Sequence, residues 1–196
     1  PRRVLSMIGL EHDSQRLVSA FWGLTPPWLK VLDHAPHCAR AESLDSRPMF
    51  HEAFSTRRCL IPVSGVYVWK SLPRMKQPFL VTRADRGPLL LAGLWSRYPT
   101  SLTEYNDSTA LLTVPTNRLL RPLTDRFPAI IDPLQANAWL DSSTPLAVAR
   151  QSLVPASLEL LGVFPVSRRV NDPAHQDWAC GHPTGAMTCW HSKQEL

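Results

Sequence analysis

Residues 57–70, RRCLIPVSGVYVWK, decide how the rest of the chain is read. Leu60-Ile61-Pro62-Val63 is one apolar run, Ser64-Gly65 interrupts it, and Val66-Tyr67-Val68-Trp69 resumes it. β-Favouring residues fill both alternating faces, which predicts two strand pieces buried on each side. Pro62 removes a ladder donor, and Gly65 permits a bulge or sharp bend between the pieces. A bend in a buried strand aims side chains into a cleft, yet Val66 and Val68, on one face here, are hydrocarbon. The stretch has the scaffold of a site and nothing at its centre that does chemistry.

Working outward, 196 residues suit one domain, large enough to bury a core without disulfide staples. Nineteen prolines against eight glycines predict extended segments and fixed turns, and argue against a helical bundle. A net charge of +5 and a pI near 9.4 fit an acidic partner, nucleic acid first among them. No apolar run approaches the ~18 residues of a membrane span, and no charged-then-apolar leader opens the chain. The expectation is a soluble, intracellular monomer with no membrane partner. Cys38, Cys59, Cys180 and Cys189 show no framework spacing and read as reduced thiols. Cys180, His182, Cys189 and His191 offer four zinc-type ligands, but their Cys-x-His spacing departs from structural zinc sites. The Pro- and Gly-containing segment around them reads instead as an irregular tail, and no metal or cofactor is expected.

In chain order, Val4–Ile8 and Leu17–Trp22 read as strands joined by the polar turn Glu11–Gln15, with Thr25–Leu29 a stiff loop after them. Cys38–Ala41 is a short strand, and Ser46–Phe54 a helix capped by Ser46 with Met49, Phe50, Ala53 and Phe54 on one face. Lys76–Arg83 and Leu89–Trp95, joined through Asp85-Arg86-Gly87, read as a hairpin. Ser96–Asp107 reads as loop, Ala110–Val114 as a buried strand, and Thr116–Leu120 as a helical turn. Ala129–Ile131 is a strand ending at Asp132-Pro133, a cap and first-turn proline that open a helix over Leu134–Leu140. Thr144–Val154 reads as helix and Leu160–Pro165 as a strand. Short turns link most strands and few helices intervene. The fold class is α+β: a single domain over residues 1–171 with a curved, partly closed, mainly antiparallel sheet flanked by short helices, then a tail over 172–196.

A further set of landmarks runs nearly end to end. It comprises Phe21-Trp22-Gly23-Leu24 with Pro27-Trp28, Ala39-Arg40-Ala41-Glu42, Arg58-Cys59-Leu60-Ile61-Pro62 and Gly65-Val66-Tyr67-Val68-Trp69. Lys76-Gln77-Pro78-Phe79, Ala92-Gly93-Leu94-Trp95, Thr116-Asn117, Asp125-Arg126-Phe127-Pro128 and Pro165-Val166-Ser167 complete it. In their order and spacing these motifs resemble the SOS-response-associated peptidase (SRAP) family, whose members sense abasic sites in single-stranded DNA.

The resemblance implies a specific chemistry. Family members condense an N-terminal cysteine, amine and thiol both, with the ring-opened sugar aldehyde, giving a covalent DNA–protein cross-link. Pro1 aligns downstream of that cysteine, so the stretch is either lost or lies upstream of this sequence. Initiator methionine is normally removed before proline, which makes a start at Pro1 possible. The family's asparagine before Ala-Arg is Cys38, its glutamate before Trp is Val68, and its histidine before Asp-Arg is Thr124. Glu42 survives as a neighbour. Val68 holds no charge and Thr124 shuttles no proton near neutral pH. Neither change depends on where the chain starts. A replacement role for Cys38 would need Arg40 or His37 to lower its pKa, and a side chain on a strand has no free α-amine to close the same ring.

Binding asks for other groups: cations along the backbone and aromatic faces for bases. Trp28, after Pro26-Pro27, is the candidate stacking platform, while Arg40, Asn117 and Arg126 match family positions at the DNA. Arg2, Arg3, Arg57, Arg118 and Arg121 are further cations. The competing reading makes Trp28 core and the arginines solvated or paired. Three functions follow. The chain binds single-stranded or abasic DNA without cross-linking it, in a nucleoid-associated DNA-damage role if bacterial or phage. Or it is an active peptidase and cross-linking (lyase-type) enzyme whose N-terminal cysteine lies upstream. Or it is a former enzyme kept for a protein partner.

Overall fold

A computed structural model describes residues 3–11, 14–29 and 35–190. The chain is α+β, and its contacts gather in two compact units. The first comprises residues 1–62, 90–114 and 128–154; the second comprises 63–89, 115–127 and 155–196.

The first unit is built on six strands of one sheet. β1 (Val4–Glu11) and β2 (Ser14–Trp22) pair antiparallel from Val4↔Phe21 to Glu11↔Ser14. β4 (Arg58–Val63) follows on the other side of β1, then β7 (Leu89–Pro99) and β8 (Tyr105–Pro115). The far edge of β8 receives β2 in parallel, Phe21↔Ser108 and Trp22↔Thr109, and then β3 (Cys38–Arg40), Cys38↔Leu111. The β2–β8 pairing closes a five-stranded barrel. β9 (Arg126–Pro128) begins in the second unit and ends in the first. One side of the barrel wall buries Met7, Ala20 and Cys59, with Val18 and Trp95 against them. The other carries Leu60, Leu94, Ala110 and Leu112 into a core with α1 (Pro48–Thr56) and α2 (Ala136–Leu140). α1 inserts Phe50, Ala53 and Phe54, the face its periodicity predicts. α3 (Leu146–Gln151) adds Ala149.

The second unit is a four-stranded antiparallel sheet. β5 (Val66–Leu72) and β6 (Met75–Arg83) form a tight hairpin, Val66↔Val81 to Leu72↔Met75. β10 (Leu161–Pro165) lines the other edge of β6, and β11 (Thr188–Cys189) covers β10. Gly65 opens this unit where a Cβ would lie 2.8 Å from the Val81 carbonyl, so the bend admits no side chain without backbone movement.

Several expectations need correction. β4 is buried on both faces, but β5 is not, with Trp69 39% exposed. The break at Ser64-Gly65 passes the chain from one sheet to another. β6 and β7 are no hairpin: each pairs within its own sheet, because long-range partners outbid the local turn. Ser96–Asp107 is mostly strand, with β7 and β8 paired as far as Pro99↔Tyr105. Arg47, not Ser46, is the N-cap of α1, and the Ser46 hydroxyl donates to Ser43 O instead. The strand expected at Ala129–Ile131 lies at Arg126–Pro128, leaving Ile130 a single bridge to Leu91. Asp132 does cap as its chemistry predicts, accepting from Leu134 N at 2.8 Å. Residues 172–190 are not all irregular, since they supply a 3₁₀ turn and β11.

Candidate nucleic-acid interface

In the first unit, the segment after β2 is braced at its root. Gly23 takes φ 121°, a backbone reserved for glycine, and donates to Thr109 O at 2.8 Å. Leu24 N donates to Pro36 O and Thr25 N to Ser108 Oγ at 2.9 Å, both pinned into the barrel. A turn closed by Leu29 N to Pro26 O then lifts Trp28 into solvent, 55% exposed. Trp28 is therefore not core.

Cys38 and Arg40 are exposed and share one face of β3, with Ala39 buried between them. Surrounding protein pushes the Cys38 thiol above its ordinary pKa by desolvation, although the residue is solvent-accessible. At neutral pH Cys38 is a thiol, the opposite of what a nucleophile needs. His37 packs edge-on against Trp22, ring centroids 5.2 Å apart, and its carbonyl accepts from the Trp22 indole. The buried Cys59 is pushed up to about 12, again by desolvation. Glu42 is exposed on a 3₁₀ turn over Ala41–Ser43. Sequence reasoning missed what fixes that turn: Arg150 donates to Ala41 O at 3.3 Å and to Asp45 Oδ1 at 2.7 Å, stacked over Phe54.

In the second unit, Asn117, Thr124 and Arg126 belong to one loop. Asn117 donates through Nδ2 to Ala156 O at 3.0 Å and accepts from Leu120 N at 3.1 Å. The amide is thus committed at both ends to holding the loop. Thr116 Oγ1 donates to Thr124 O, and Thr124 Oγ1 to Arg126 O, each at 2.9 Å. Arg126 is half-buried at the start of β9. Val68 is 7% exposed, paired with Phe79 across the β5–β6 ladder. Of the other cations, Arg57 is bound to Glu52 at 3.1 Å, and Arg118 lies over the Trp190 ring at 4.9 Å. Arg121 is exposed, Arg3 is exposed, and Arg2 falls outside the described residues.

The zinc-type residues go elsewhere: the buried Cys180 points its thiol at His175 O, and His182 packs on Trp178. His191 falls outside the described residues. No helix among the described residues is long and apolar enough to cross a membrane.

The charge is unevenly divided. The first unit's segments hold ten Lys and Arg against ten Asp and Glu; the second's hold eleven against six. The whole net charge of +5 therefore resides in the second unit.

Comparison with known proteins supplies the lineage. Abasic site processing protein YoqW of Bacillus subtilis is 29% identical over 176 residues, covering 88% of this chain and 78% of the relative. Abasic site processing protein YedK of Escherichia coli is 28% identical over 181 residues, covering 90% and 79%. A crystal structure from Bacteroides thetaiotaomicron superposes with a TM-score of 0.79 at 22% identity, over 90% of this chain and 79% of that one. That likeness bears on the fold alone. The model of the SRAP family, SOS response associated peptidase, matches residues 1–173, and the chain belongs to that family.

Proposed function

We propose that this chain binds single-stranded DNA at abasic sites, in the DNA-damage response, without forming a covalent adduct. The relatives' names supply the lesion, since both are abasic site processing proteins. The observation that carries the non-covalent reading is Val68, a hydrocarbon 7% exposed where the family resemblance puts a glutamate. Thr124, in the histidine's place, spends its hydroxyl on Arg126 O, and Cys38 is held protonated. A positioned acid or base contributes ~10²–10⁴ in rate, and groups that act as a unit are lost together. Binding draws on different groups. Trp28 offers an exposed indole on a braced turn, worth ~1–3 kcal/mol per stacked base, while Arg40 and Arg126 supply cations.

The test mixes the protein with an abasic single strand and compares a denaturing gel with anisotropy across a salt series. The expected result is salt-sensitive binding, with a slope of about −0.7 per phosphate contact, and no adduct on the gel. A gel-stable adduct restores the active-enzyme reading. Absence of binding at low salt leaves the protein-partner reading.

A further inference from the structure

Beyond residue 173 the chain lies outside the family match, yet it folds onto the second unit. β11 pairs with β10, Val166 bridges Pro183, and Thr184 N donates to Pro165 O at 2.9 Å. Ahead of these anchors, Trp178–Gly181 forms a 3₁₀ turn closed by Cys180 N to Asp177 O and His182 N to Ala179 O, both 3.1 Å. Cys180 is 5% exposed and plugs the turn into the protein. A Cβ at Gly181 would lie 3.5 Å from the Tyr67 hydroxyl, so the turn rests on β5. On this fixed mount Trp178 is 80% exposed, with the His182 ring edge-to-face at 4.3 Å between centroids.

An anchored turn holds the indole in one orientation, so a base that stacks on it does not have to order the mount first. The surroundings are polar and of mixed charge, not a hydrocarbon field, with Asp172 and Asp177 set among the arginines. Arg168 and Arg169 are exposed on the adjoining 3₁₀ turn, with Arg169 3.7 Å from Asp177 and 3.2 Å from His175 Nδ1. Asn171 at the end of that turn accepts from Trp69 Nε1 at 2.7 Å, which ties the half-open Trp69 to the same turn.

We propose that Trp178, backed by His182 and flanked by Trp69 and Arg168, is a second stacking platform for the unpaired bases of a single nucleic-acid strand. Charge at the scale of the unit selects that occupant: the unit carries the whole net positive charge, on residues 63–89 and 115–127, and a strand presents a base and a phosphate at every step. The inference does not rest on abasic recognition, because an undamaged strand presents the same bases.

Anisotropy of a labelled, undamaged oligothymidine of about 30 nucleotides, long enough to reach a site beyond the lesion, tests it with the full chain. Trp178→Ala is expected to weaken binding about tenfold with the salt slope unchanged, and Arg168→Gln to lower the slope by about 0.7. Trp178 is too exposed for its loss to unfold the protein, which a thermal melt checks. A strand carrying 5-iodouracil, irradiated on the wild-type protein, is expected to cross-link the tryptic peptide that follows Arg169. An unchanged affinity in Trp178→Ala, cross-links confined to other peptides, or no affinity of the wild type at low salt overturns the proposal. Trp178-dependent binding without preference for an abasic strand sinks the lesion reading and leaves this one standing; the reverse pattern does the opposite.

Discussion

Arg58 has 2% of its surface exposed, and every hydrogen bond it makes goes to a carbonyl. Its guanidinium donates to Phe54 O at 2.7 Å in the last turn of α1, to Trp139 O at 2.6 Å in α2, and to the Asp141 carbonyl just beyond. One cation thus serves the unsatisfied ends of two helices, where the dipole also favours positive charge. Desolvation pulls its pKa down while Asp141 pushes it up, and it stays charged. Arg58→Met is expected to cost more than about 3 kcal/mol in urea unfolding, because buried carbonyls lose charged donors. Arg58→Lys is expected to recover little, since one ammonium does not span the fork. At Val68 the reverse experiment is informative. Val68→Glu places a carboxyl in a 7%-exposed position, where burial raises its pKa above the unfolded value. Stability relative to wild type is therefore highest while the group stays protonated, and falls as pH rises through that raised pKa. Melts at pH 5 and pH 8 should show the larger penalty at pH 8; equal penalties would mean that a cation already waits there.

Arg97 ties three strands, and its effect belongs to the elements it joins. From β7 it bonds Glu11 of β1 at 2.7 Å and Asp107 of β8 at 2.9 Å, over the rings of Trp95 and Tyr105. The hydrogen bond from Arg97 holds the Glu11 carboxyl below its ordinary 4.5. A depressed carboxyl contributes stability that is present above its unfolded pKa and lost as pH falls through the folded one. Between pH 5 and 3 the melting temperature of wild type should fall more steeply than that of Arg97→Met; parallel curves would count against the network. Element by element, what the sequence made legible was local chemistry. Strand runs stand out by composition, and Asp132-Pro133 announces a helix start because a cap is made within three residues. Partners were not legible. Asp85-Arg86-Gly87 is the same turn signal whether the next strand folds back or leaves for another sheet, and only distant pairings such as Gly162↔Thr82 decide. The site divides the same way. The substitutions at Cys38, Val68 and Thr124 are visible in the sequence through the family's pattern. That Asn117 is consumed by Ala156 O, 39 residues away, is not.

For the whole molecule, composition reported a basic protein but not where the basicity sits. With the first unit balanced and the second carrying the excess, polyanion affinity should respond to substitutions by unit more than by residue type. Arg126→Gln, in the unit that carries the excess charge, is expected to reduce the salt slope of strand binding by about 0.7, whereas Arg57→Gln, in the balanced unit, should leave it unchanged. A salt series on each variant reads this directly, and equal slopes would remove Arg126 from the interface.

The closure of β2 onto β8 also has a consequence for how the protein is made. Phe21 meets Ser108 only after about 87 further residues have been synthesised, which at ~5–20 residues per second leaves roughly 4–17 s on the ribosome. β4 reaches β1 once residue 63 is made, but until Ser108 emerges the barrel stays open at β2 and the cluster around Met7 and Ala20 stays incomplete. A nascent chain stalled before Ser108 should accordingly be a substrate for holdase chaperones, and one stalled well after it should not.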